Sequence, residues 1–89
     1  MQKINNAGCD EPMYGINFEY HEHHLLREIV LRNILDPKVC NDACLSHPHC
    51  IAWTLRSSHD NTCVPVTHYK KIGIKPGYVA GRRNTCIGI

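Results

Sequence analysis

Six cysteines in a chain of 89 residues limit what this sequence can fold into more than any other feature. Three of them, Cys40, Cys44 and Cys50, fall within eleven residues, in the stretch DPKVCNDACLSHPHCIAWTLR from Asp36 to Arg56. A chain this short makes one domain with a marginal core. One Phe, one Trp and four Tyr leave little bulk to enlarge that core. An even set of cysteines in such a domain reads as disulfide staples, the pattern of secreted modules, rather than as cytosolic metal or redox chemistry. The expected location is therefore extracellular. The formal net charge of +2 is too small to argue for nucleic acid.

The central stretch predicts a helix followed by a strand. Asp36 can accept from the first free amides, and Pro37 has no amide to lose at the first helical position. Val39, Cys40, Ala43 and Cys44 then form one buried stripe. The helix is expected over residues 37–46, because Pro48 drives His47 out of the helical region. Beyond the turn at Cys50, the apolar run Ile51 to Leu55 reads as a strand. Trp53 is expected in the core, packed on the helix.

Residues 1–8 read as a polar linker, residues 9–86 as the domain and residues 87–89 as a tail. The polar opening has no apolar leader, so a secreted chain is expected to be an excised module whose targeting sequence lies elsewhere. No apolar run is long enough to span a membrane. Tyr14 to Tyr20 alternates, with Ile16, Phe18 and Tyr20 on one face, which predicts a half-buried antiparallel strand. His21 to Leu35 carries helix-like spacing and a β-branched pair; a loop to Leu26 and a strand over Arg27 to Asn33 are expected. Ser57 to Asn61 is a turn cluster. Thr62 to His68 predicts a strand whose Pro65 belongs at an edge or a bulge. Tyr69 to Gly77 is expected as a loop with a Pro-Gly turn, before a last strand, Tyr78 to Gly81. One helix among about five short strands gives an α+β domain.

Six cysteines allow fifteen pairings by count. Helix geometry trims them: Cys40 and Cys44 share a face and reach outward, Cys50 lies within reach of Cys44, and Cys40 can meet Cys63, which leaves Cys9 with Cys86.

The run Cys40-x3-Cys44-x5-Cys50-Ile-Ala-Trp-Thr, with Cys63 and a Val-Ala-Gly strand after it, resembles the PAN/apple domain. This module is repeated in plasma prekallikrein, in coagulation factor XI and in microneme adhesins of apicomplexan parasites. The resemblance covers residues 9–86, and the histidine-rich loop and Arg82-Arg83 are closer to a microneme repeat. It implies a five-stranded antiparallel sheet curled around one helix, with bridges Cys9–Cys86, Cys40–Cys63 and Cys44–Cys50. It also implies a non-catalytic binding role with protein or glycan ligands. Val64-Pro-Val departs from the family, where many relatives carry an apolar residue and then Leu-Lys, so no ligand contact carries over to that position.

Several constellations invite chemistry and fail on spacing. His21-Glu-His-His24 lacks the second histidine of HExxH, since Leu25 stands there; the reading is a solvated loop. Cys40, Cys44, His47, His49 and Cys50 crowd around one helix end and would strand three other cysteines, so disulfides are preferred to zinc. With every cysteine paired, no thiolate nucleophile remains. Asp10, Glu11, Glu19, Glu22 and Glu28 read as surface carboxylates in a domain too small for a substrate cleft. No catalytic residue, metal or cofactor is therefore expected.

Lys70, Lys71, Lys75, Arg82 and Arg83 bracket a loop and the final strand, and form a candidate basic ligand-binding patch, although solvated charges at turns are the commoner reading. The expected function is one repeat of a larger secreted adhesin, binding a cell-surface protein or a partner adhesin beside neighbouring repeats. The alternative is a lectin-like module that takes a glycan, sulfated or not, through a pocket or the basic patch. Neither nucleic acid nor membrane insertion is expected.

Overall fold

The computed structural model describes residues 10–87. The expected linker over 1–8 and the end of the expected tail, Gly88 and Ile89, lie outside the described residues. So does Cys9, and with it the expected Cys9–Cys86 bridge.

The chain is mixed α+β: strand β1 (Met13–Glu19), helix α1 (Pro37–Ser46), and strands β2 (Ala52–Leu55), β3 (Cys63–Val66) and β4 (Lys71–Arg82). The strands form one antiparallel sheet in the order β1-β4-β2-β3, so four strands stand among the described residues where about five were expected. Helix α1 begins as the sequence predicts. Asp36 Oδ1 accepts from the Lys38 amide at 2.9 Å, and Pro37 takes the first helical position. His47 closes the last turn, its amide donating to the Cys44 carbonyl at 3.1 Å.

The sheet buries both faces. On the helix side, Trp53, Leu55, Cys63 and Val79 pack with Cys40, Cys44, Cys50 and Leu26. On the other, Ala52, Val64, Val66 and Ala80 pack with Phe18, and Met13, Ile16, Tyr20, Leu25 and Tyr69 cover the margin. The Phe18 amide donates to Thr54 Oγ1 at 3.2 Å, tying the edge strand β1 to β2. Two disulfides join the helix to the rest: Cys40–Cys63, with Cα atoms 5.5 Å apart, anchors it to β3, and Cys44–Cys50, at 5.2 Å, closes the turn after it.

Two expected elements differ. The strand expected over Arg27 to Asn33 is absent; Arg27–Ile29 makes a single 3-10 turn, and only isolated bridges, Leu25 to Val66 and Leu31 to Cys63, follow the outer edge of β3. Pro65 explains this. Its carbonyl faces that edge and accepts from the Leu26 amide at 3.0 Å, but it has no N–H to offer back. Contact therefore holds where donors exist, Thr67 to the His24 carbonyl at 2.9 Å and Cys63 to the Leu31 carbonyl at 2.8 Å, and the chain turns away between them.

The loop expected over Tyr69 to Gly77 is instead the first part of a single long strand, because Ile72 and Ile74 pair with Phe18 and Ile16. The Pro76-Gly77 turn survives as a bulge. β4 advances from Ile74 to Val79 while β1 moves only from Ile16 to Tyr14, and Gly15 and Gly77 take positive φ of 77° and 89° to absorb the mismatch.

Candidate functional site

The five basic residues singled out in the sequence do not form one cluster. Lys71 and Arg82 stand at opposite ends of β4, on the order of 30 Å apart along an extended strand. Arg83 is engaged within the fold. Its Nη1 donates to the carbonyls of Cys50 at 2.9 Å, His47 at 3.0 Å and Cys44 at 3.4 Å, while Nη2 reaches Leu45 at 3.4 Å. Cys44 and Leu45 belong to the last turn of the helix and His47 and Cys50 to the turn after it, so the guanidinium gathers carbonyls at the helix C-terminus, where a cation also suits the negative end of the helix dipole. Arg82 faces the Asp10 carboxylate at 3.4 Å. Lys75 lies over the Tyr78 ring, with Nζ 5.7 Å from its centroid, a cation–π arrangement. Lys70 and Lys71 are exposed at the start of β4.

The far half of the β1–β4 ladder offers a second surface, one that sequence reasoning missed. Phe18 pairs with Ile72 and Ile16 with Ile74, so alternation puts these four side chains on one face. Burial fades along it: Phe18 is fully buried, Ile72 is 46% exposed and Ile74 is 85% exposed. Tyr14, 70% exposed, stands beside the bulge. The opposite face holds Asn17, Glu19, Lys71 and Gly73, and the Glu19 carboxylate lies across Gly73, where a side chain would meet it at 2.6 Å. The hairpin thus has one apolar and one polar face. The alternation Ile72-Gly-Ile74 was the available signal, masked by the Pro-Gly pair behind it.

The histidines gather at the other margin. His23 and His24 have ring centroids 4.1 Å apart, His24 and His68 are at 4.6 Å, and His21 stands 5.7 Å from His23. Burial pushes the His24 pKa down, and the neighbouring His23, His68 and His21 push the same way. His47 Nε2 lies 3.0 Å from Glu28 Oε2. A hydrogen bond from its own backbone amide holds Glu28 below the usual carboxylate range, and His47 adds to the effect. Among the described residues, no group of three or more His, Cys, Asp or Glu side chains is arranged to hold a metal ion, and no helix is long and apolar enough to cross a membrane. None of the described cysteines is a free thiol.

One helix, a four-stranded antiparallel sheet and disulfides that tie the helix to β3 and to the following turn are compatible with an apple-like fold. Comparison of the chain with protein-family models, curated proteins and solved structures found no match.

Proposed function

We propose that the chain is a non-catalytic, extracellular binding module of the PAN/apple type, one repeat of a secreted adhesin that attaches to a protein surface. The observation that carries this reading is the apolar face of the β1–β4 ladder, which runs out of the core to the exposed Ile72 and Ile74. A hydrophobic surface held on a paired strand is costly to leave in water and is characteristic of protein contact sites. The cysteine pattern and the stapled helix support the family reading. Their two disulfides favour an oxidising compartment.

Cell-surface and protein-array binding of the folded chain, compared with Ile74→Asp, tests this. Ile74 bears little on stability, being exposed, so the variant should fold and lose binding by tenfold or more, as loss of an interface anchor does. Unchanged binding in the variant would remove this face from the contact. Binding to a glycan array that free sugar abolishes would replace the protein-binding reading with the lectin one.

A further inference from the structure

We propose that His21, His23, His24 and His68 form an acid-released latch, which holds residues 21–31 against the outer edge of β3 at neutral pH and lets them go when the rings gain protons. The geometry puts four rings into one cluster of neighbours, with His24 at its centre: 4.1 Å to His23, 4.6 Å to His68 and 6.1 Å to His21, tilted or edge-on to each. His68 comes from beyond β3 and the other three from the 3-10 turn Glu22–His24 and its N-cap His21, so the cluster spans the two segments that must stay together. Thr67 joins them again, its hydroxyl 3.1 Å from His68 Nδ1 and its amide donating to the His24 carbonyl at 2.9 Å.

Neutral imidazoles pack at these distances without penalty, whereas imidazolium rings there repel one another. Little nearby charge offsets that repulsion. The groups acting on His24 are the rings of His23 and His68 and then that of His21, all of one sign when protonated. Glu22, on the same turn, is held by Arg27 at 2.5 Å. Arg56, beyond Tyr20, is paired with Asp60 at 2.6 Å, and Tyr20 is neutral throughout this range because burial raises its pKa further. A histidine whose folded pKa is depressed supplies stability that is present above its ordinary pKa and is lost as pH falls through the folded value. The latched state therefore weakens on acidification.

The backbone makes this segment the one to open first. It is bound to the β3 edge through the His24 and Leu31 carbonyls and the Leu26 amide, and Pro65 denies it a continuous ladder. Release would uncover Leu25 and Leu26 and present the amides of Cys63 and Thr67 as an unpaired strand edge.

Amide exchange of the whole, disulfide-intact chain, followed by NMR at about pH 7.5 and about pH 5 and corrected for intrinsic rates, tests the latch. Protection of Leu26, Cys63 and Thr67 should drop about tenfold on acidification, in the direction that linkage gives when a ring binds its proton less readily in the latched state than in the released one. Protection of Trp53 and Thr54 should hold. His24→Gln with His68→Gln should keep the neutral-pH protection and lose most of the drop. Equal protection at both pH values, a drop shared by Trp53 and Thr54, or the same drop in the double variant would overturn the proposal. The His24 ring titration in the unsubstituted chain gives a second readout: a depressed curve that moves on His68→Gln supports the latch, and an undepressed curve that ignores this substitution excludes it.

Discussion

The indole Nε1 of Trp53 donates to Oδ1 of Asn41 at 3.0 Å, in the fully enclosed space between α1 and the sheet. The same amide passes the connection on, with Asn41 Nδ2 donating to the Thr85 carbonyl at 3.1 Å. One helix side chain thus fixes both the central aromatic and the chain's return past β4. Asn41→Leu leaves the indole N–H and the Thr85 carbonyl without partners inside the core. It should lower unfolding stability by about 2–6 kcal/mol, the sum of two such penalties, as read from a denaturant titration followed by Trp53 fluorescence.

Gly81 pairs with Trp53 across β2 and β4, and the ring lies directly against its Cα. A Cβ there would fall inside the contact distance of the indole atoms, and Trp53, fully buried, has no room to retreat. Gly81→Ala should cost about 1–3 kcal/mol by overpacking. A thermal melt checks this, and an unchanged melting temperature would show that the ring can shift.

Arg83 acts as the C-terminal cap of α1 and of the Cys44–Cys50 turn, since one guanidinium serves four carbonyls. Both Arg83→Ala and Arg83→Lys should lower stability by about 1–2 kcal/mol, because an ammonium cannot reproduce the planar fork. Neither should alter binding measured at the Ile72–Ile74 face.

The two described disulfides should separate by loop length. Removing Cys40–Cys63 by paired Cys→Ala substitution should cost about 3.4 kcal/mol in the chain-entropy account, and removing Cys44–Cys50 about 2.2 kcal/mol. Denaturant midpoints of the two double variants give the order directly.

Beyond the local effect of His24 and the raised Tyr20, the pH dependence of overall stability has contributions of defined sign from Glu28, Asp60 and Lys38. Glu28 has a depressed folded pKa, from its own amide and then His47. Asp60 is also depressed: its partial burial alone would raise the value, but the Arg56 hydrogen bond and charge together outweigh it. Both contributions are present above the ordinary carboxylate pKa and are lost as pH falls through the depressed folded values. Lys38 is raised, by its hydrogen bond to Asp42 and then by that charge, so its contribution is complete below the ordinary lysine pKa and is lost as pH climbs through the raised one. Stability measured across pH should form a plateau over the neutral range that falls on both sides. Asp60→Asn should flatten the acid limb.

The helix was legible because its start and stop are local chemistry: Asp36 and Pro37 act on their own neighbours, and Pro48 on His47. The strand Met13–Glu19 was legible because the alternation of Ile16, Phe18 and Tyr20 sends them to one cluster, Phe18 buried in it and the other two packed at its margin. The segment after Leu26 was not, because its conformation is set by a partner without a donor, Pro65, far along the chain. For Tyr69 to Gly77 the Pro-Gly pair outweighed the alternation of Ile72 and Ile74, whose partners in β1 are distant in sequence. The basic residues misled for a related reason: proximity along the chain said nothing of Arg83 turning back to the helix end. Cys40–Cys63 and Cys44–Cys50 followed from the face that the helix presents.

Asp10 and Thr85 form a parallel bridge, with the Asp10 amide on the Asn84 carbonyl at 2.9 Å and the Cys86 amide on the Asp10 carbonyl at 3.1 Å. Tension applied through the flanking chain would meet this short zip before it met any strand ladder. The force path across the domain is then a few backbone groups long, and the paired strands behind it hang off the line of pull.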